Sequence, residues 1–124
     1  MRLLVVVAML AACGVAPLFG GPVSGPLADG AWQARYSRFP NGAEVRVTVA
    51  AGRVASVEVL HHSGSWIGKR AVPVIPRRIV EAQSTRVDAV SGATNSSRVI
   101  MNAAYLALLK SRAAARGRSA ASRQ

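Results

Sequence analysis

Acidic side chains, cysteine and metal-ligating clusters are scarce in this chain, and each scarcity removes a class of function. Only 5 of the 124 residues are Asp or Glu, against 16 Lys or Arg, so the formal net charge is +11. Such a balance suggests nucleic acid or anionic surfaces as partners, but no recognised nucleic-acid-binding module accompanies it. Cys13 is the single cysteine, which excludes a disulfide framework within the chain. His61 and His62 are adjacent and have no further His, Cys or carboxylate at ligand spacing, so no metal centre is read here. No acid, base and nucleophile constellation for a separate substrate is visible either. A long apolar run is also missing. Apolar residues continue past Cys13, but Gly14, Pro17, Gly20, Gly21 and Pro22 break them up short of the roughly 20 that a membrane span needs.

What is present begins at the N-terminus. Met1-Arg2 and the apolar Leu3 to Leu10 have the form of an export signal, with one charge followed by a short hydrophobic core. Leu10-Ala11-Ala12-Cys13 resembles a bacterial lipobox, which implies residues 1–13 as a lipoprotein-type signal segment with Cys13 lipidated. A retained membrane anchor is the competing reading; either one puts the folded part on the extracytoplasmic side. Residues 14–28 are rich in Gly and Pro, show neither strand nor helix period, and read as a flexible linker with a reach on the order of 20 Å.

Residues 29–112 read as one domain. Val45, Val47 and Val49 alternate with Glu44, Arg46 and Thr48, and Ala55, Val57 and Val59 alternate with Ser56 and Glu58, which predicts two half-buried strands. Ala50-Ala51-Gly52-Arg53 joins them as a hairpin, with Gly52 at positive φ. An earlier strand is expected over 31–38, with Pro40-Asn41-Gly42 as its turn, and His61 to Gly68 reads as loop. A helix is expected from Pro76 or Arg77 to Gln83, with Ile75, Ile79 and Val80 or Ala82 inward. The spacing of Ile100, Ala103, Ala104, Ala107 and Leu108 predicts a last helix over about 97–112, capped by Asn95 or Ser96. The fold class is therefore α+β, a small antiparallel sheet packed on one face by two helices. Residues 113–124 are left as a basic, solvated tail suited to an anionic membrane surface or an acidic partner.

Asp88-Ala89-Val90-Ser91-Gly92-Ala93-Thr94 carries the chemistry. It ends on a hydroxyl, on a small-residue turn, where a helix begins to present free N–H groups and the positive end of its dipole. Such a place suits a phosphate, and Gly92 and Ala93 let a ligand approach the backbone.

The chain at these residues resembles the FMN-binding domain family, found in flavinylated components of sodium-translocating NADH:quinone reductases and of Rnf complexes, and in small exported flavoproteins. Every fixed position of that family's flavinylation motif is present, in order, as Asp88, Ser91, Gly92, Ala93 and Thr94. The resemblance extends through Asp29-Gly30-Ala31-Trp32, Val45 to Val49, Gly52-Arg53-Val54, Val57 to His61 and Ile79 to Ser84, and covers roughly residues 29–112. It implies FMN joined through its phosphate to Thr94 by a flavin transferase that reads Asp88. Ser91, Gly92, Ala93, Asn95, Ser96 and Ser97 would surround the group. His62 is a candidate beside the flavin, and Trp66, Trp32 and Tyr36 are candidates for stacking, with core packing preferred for the last two.

The resemblance further implies an electron-transfer carrier more than a stand-alone enzyme, with membrane electron-transfer proteins as donor or acceptor. The n-region lacks a twin arginine, so the chain would cross the membrane unfolded and acquire its cofactor outside, where a covalent bond prevents loss. Two alternatives stand: the same fold binding FMN reversibly, and a basic lipoprotein that serves as a binding or scaffold module.

Overall fold

The computed structural model describes residues 21–23 and 25–122, with side chains to residue 118. The segment containing the expected signal and Cys13 lies outside the described residues. Three strands, β1 (Gly30–Arg38), β2 (Asn41–Ala50) and β3 (Arg53–Ser63), form an antiparallel sheet in the order β1-β2-β3. A 3-10 turn (Gly68–Arg70) leads into helix α1 (Ala71–Ala82), and helix α2 (Thr94–Ser122) follows an eleven-residue connection. Both helices cover one face of the sheet, α2 against β1 and β2, α1 against β3 and the side of α2. This is the α+β arrangement expected from the alternation. None of the described helices is long and apolar enough to cross a membrane.

The core follows from the strand period. Ala43, Val45, Val47 and Val49 of β2 are buried against Ile75 and Ile79 of α1 and Ile100, Ala103, Ala104, Ala107 and Leu108 of α2. Trp32 and Tyr36 pack at its edge, as preferred for them. The opposite face of the sheet is polar and carries two cross-strand ion pairs, Arg35–Glu44 at 3.4 Å and Arg46–Glu58 at 2.9 Å. Exposed pairs of this kind contribute about 0–1 kcal/mol each. The β2–β3 hairpin turns through Ala51 and Gly52, both at positive φ. Their N–H groups donate to the Asp29 carboxylate at 3.2 and 3.1 Å.

Several boundaries differ from expectation. Strand β3 runs on to Ser63, so His61 and His62 belong to a strand and not to a loop. Two register shifts explain why simple alternation misplaces its ends. One leaves Ala55 as an extra residue, so Val54 is buried while Ala55 is exposed. The other leaves Leu60 extra and reverses the parity beyond it, turning His62 onto the helix-covered face opposite Ala43. Helix α1 begins at Ala71, five residues before the expected Pro76. Pro73 sits in the first turn, where an N–H has no helical partner to lose, and Pro76 sacrifices one bond. Gln83 closes α1 in the left-handed conformation. Its side chain also pairs with both backbone groups of Val54, at 3.0 and 2.9 Å.

The segments expected to be loose are partly ordered. Within 14–28, Pro22 forms a β-bridge with Ser84, and the Val23 N–H donates to the Gln83 carbonyl at 2.7 Å. Ala28 is buried and exchanges hydrogen bonds with the Ser111 hydroxyl. The described end of this segment is thus docked on the domain and is not a free tether. Helix α2 likewise extends past Arg112 to Ser122. The expected tail lacks an apolar face but is rich in Ala and Arg, which sustain a helix by propensity.

Candidate functional site

The loop before α2 is built as a type II turn. The Ala93 N–H donates to the Val90 carbonyl at 2.9 Å, and Gly92, third of the four residues, has φ +82. That position of a type II turn requires the left-handed region, which glycine enters without penalty. Space is not the constraint, because a Cβ at Gly92 would find only Ile67 Cγ2, 3.8 Å away. Gly92 is therefore present for its backbone conformation rather than to admit a ligand.

Ser97 holds this turn from behind. Its side chain is fully buried; the hydroxyl accepts from the Val90 N–H at 3.0 Å and donates to the Ala93 carbonyl at 2.7 Å. Ser97 is thus a staple beneath the loop and does not face the cleft. The Arg78 guanidinium of α1 secures the start of the loop by donating to the Asp88 carbonyl at 2.7 Å. The Asp88 carboxylate is exposed and has no partner among the described residues, so it does not cap the turn.

Helix α2 begins at Thr94, and its first backbone bond runs from the Ser97 N–H to the Ala93 carbonyl. The N-cap position is therefore Ala93, not Asn95 or Ser96, which lie inside the first turn. Alanine has no side-chain acceptor, so the N–H groups of Thr94, Asn95 and Ser96 lack a protein partner among the described residues. No acidic residue stands in this turn. These donors open on a cleft of about 420 Å³, lined by Gly92, Ala93, Thr94, Asn95 and Ser96 from the loop and helix. Its volume lies within the usual range of roughly 300–1,000 Å³ for small-molecule sites.

The facing wall comes from elsewhere in the chain: Pro40 and Asn41 at the β1–β2 turn, and Ser65 and Gly68 between β3 and α1. Reading the sequence did not find these four as site residues, because only the tertiary fold brings them to α2. The one signal was glycine. A Cβ at Gly68 would lie 2.2 Å from Ser96 Oγ and 3.1 Å from Ser96 Cβ, so the 3-10 turn packs on α2 without room for a side chain. The Asn41 amide lines the cleft and has no partner among the described residues.

His62 stands behind Ser96, with Nε2 2.9 Å from Ser96 Oγ. Burial, and then the positive charges of His61 and Lys69, push its pKa below the usual value. Ser91 is exposed within the turn and does not line the cleft. Trp66 is 73% exposed, one residue from the cleft-lining Ser65.

Free helix N–H groups, unpaired amide and hydroxyl donors and an accessible threonine together suit a phosphorylated ligand larger than phosphate itself. Comparison with known proteins bears on which one. A protein of Treponema pallidum (strain Nichols), described as uncharacterized, is 39% identical over 80 residues, which are 60% of this chain and 21% of that protein. The chain thus spans about a fifth of the length of that relative. A Clostridium perfringens protein of known crystal structure superposes with a TM-score of 0.58 at 17% identity, covering 71% of this chain and 91% of that one. At that identity the likeness shows a shared fold alone. Residues 41–109, more than half of the chain and including the whole cleft-forming loop, match the FMN-binding domain, and the chain belongs to that family.

Proposed function

We propose that FMN is carried covalently, through its phosphate, on Thr94 Oγ, and that the protein is an exported, membrane-tethered electron carrier of the extracytoplasmic side. The observation that carries this reading is the position of Thr94. It is exposed on the first turn of α2, at the mouth of a cleft whose uncapped N–H groups favour an anion. The cradle fits the group: Gly92 fixes the turn, Ser97 and Arg78 hold it, Ser96 lies on the same wall as Thr94, and Asn41 faces them across the cleft.

Joining a phosphate to a threonine hydroxyl needs an activated donor, a flavin phosphoanhydride. The Thr94 Oγ–P bond forms as the anhydride P–O bond breaks; a nucleoside monophosphate leaves and the hydroxyl proton is taken up by the transferase. No base for that proton lies among the residues that line the cleft, which supports modification by a separate enzyme. The exposed Asp88 carboxylate is available for that enzyme to read. Bound FMN supplies two-electron uptake and one-electron release, and the residues described here hold and orient it. Lipidation of Cys13 would tether the domain, and the basic end of α2 would meet anionic headgroups.

The test is flavin fluorescence of the denatured band after co-expression with a flavin transferase, beside Thr94→Val. Fluorescence in the parent and none in the variant is expected. A dark parent, under conditions where a known substrate of that transferase glows, refutes covalent attachment; yellow protein that loses colour on unfolding would then identify reversible binding. Intact mass after lipase treatment checks Cys13.

A further inference from the structure

Two polar atoms at the back of the cleft are not explained by folding alone. Ser96 is almost fully buried, yet its hydroxyl meets only His62 Nε2 among the described residues and makes no bond to a preceding helix carbonyl. His62 Nδ1, on the other side of the ring, is buried and has no partner.

A neutral imidazole carries one N–H and one lone pair. If the proton were on Nδ1, a buried donor would be left without an acceptor, which folded proteins rarely tolerate; a lone pair left dry is the milder defect. The proton therefore belongs on Nε2. There it is donated to Ser96 Oγ, so Ser96 cannot donate to the histidine, and its own hydrogen is free. Ser96 is one of the residues that line the cleft, so an acceptor bound there would complete the bonding of that hydroxyl. The bulge at Leu60, which turns His62 and not His61 inward, makes this arrangement.

We infer that His62 is a positioning residue that fixes the Ser96 hydroxyl as a hydrogen-bond donor to the phosphate of the group on Thr94. This rests on the FMN reading above and adds to it a phosphate subsite formed by Ser96 Oγ–H with the free N–H groups of the first turn. A lysine at this depth would bring an unscreened charge; a serine held by neutral histidine brings a donor without one. The charged groups acting on His62 are His61 on its own strand and Lys69 of the 3-10 turn, while α2 and β2 present Ser96 and Ala43 to it.

The experiment is nitrogen-15 NMR of the imidazoles in the full chain, before and after flavinylation. The Nε2–H tautomer is expected in both forms, with the midpoint of the His62 titration rising on flavinylation because an anion close by favours the protonated ring. In Ser96→Ala the midpoint is expected to move by less. His62→Leu is expected to slow flavinylation about tenfold, the usual effect of losing a hydrogen bond to a charged group, and His62→Gln, which keeps an N–H donor, to restore most of the rate. An Nδ1–H tautomer, or a His62 midpoint that ignores flavinylation of the parent, overturns the inference and leaves the anchor on Thr94 intact. A parent that takes no flavin overturns both.

Discussion

Replacing Ser97 with alanine tests whether the loop before α2 is held from behind. In the parent the Ser97 hydroxyl is the acceptor for the Val90 N–H at 3.0 Å and donates to the Ala93 carbonyl at 2.7 Å. After Ser97→Ala the Ala93 carbonyl keeps the Ser97 backbone N–H at 2.9 Å, so its loss is small. The half-buried Val90 N–H loses its acceptor, which costs about 2 kcal/mol. Alanine returns up to about 0.5 kcal/mol through helix propensity. The net destabilisation is roughly 1.5 kcal/mol, equivalent to a fall in Tm of about 6–12 °C for a domain of this size. Thermal unfolding followed by circular dichroism measures it, and hydrogen exchange at Val90 reports the cause, since that amide is expected to lose its protection. Ser91→Ala removes an exposed hydroxyl from the same turn and is expected to stay within about 0.5 kcal/mol of the parent. If Ser97→Ala melts within about 2 °C of the parent and Val90 stays protected, the loop is held by something other than Ser97.

Three further outcomes follow from the same geometry. Gly92→Ala forces a left-handed alanine at φ +82 without a steric clash, so it is expected to cost about 1–2 kcal/mol by denaturant unfolding, and Gly92→Asn less. Gly68→Ala places a Cβ 2.2 Å from Ser96 Oγ and must displace it from His62; a loss of about 1–3 kcal/mol is expected, less than additive with Ser96→Ala. His62 has a folded pKa below its ordinary 6.5, so below that pH the unfolded chain binds more protons than the folded one. Stability is therefore complete above about pH 6.5 and declines as pH falls toward the lowered folded value. Subtracting the His62→Gln profile from that of the parent isolates this contribution, and coincident profiles would show that His62 does not titrate differently on folding.

The sheet and the apolar face of α2 were legible because Val45, Val47 and Val49 keep a strict period of two, and Ile100 to Leu108 a helical one. The loop was legible because its motif and the turn chemistry of Gly92 agree. Val57 and Val59 of β3 were legible by the same period of two, but the two ends of the strand were not: the extra residues at Ala55 and Leu60 leave no mark in composition, and they put Val54 rather than Ala55, and His62 rather than His61, on the inner face. Side-chain capping at Asn95 or Ser96 was a sound local expectation, overruled because the helix starts at Thr94 with Ala93 as its cap and leaves those donors to the cleft. The start of α1 was read at Pro76, five residues late, although Pro73 occupies a place in the first turn where a helix tolerates proline. Pro40, Asn41 and Ser65 line the cleft through folding alone, with no local pattern to mark them, and of the four facing residues only Gly68 carried a signal.

The single helix from Thr94 to Ser122 sets the electrical geometry of the molecule. At about 1.5 Å per residue, Thr94 and Arg118 are separated by roughly 36 Å along its axis. The Debye length in physiological salt is roughly 8 Å, so more than four screening lengths lie between them. Ions gathering at the arginine-rich end therefore leave the potential at the cleft unchanged. On the proposed function, a salt titration that weakens attachment through that end is expected to leave the midpoint of FMN in the cleft unshifted.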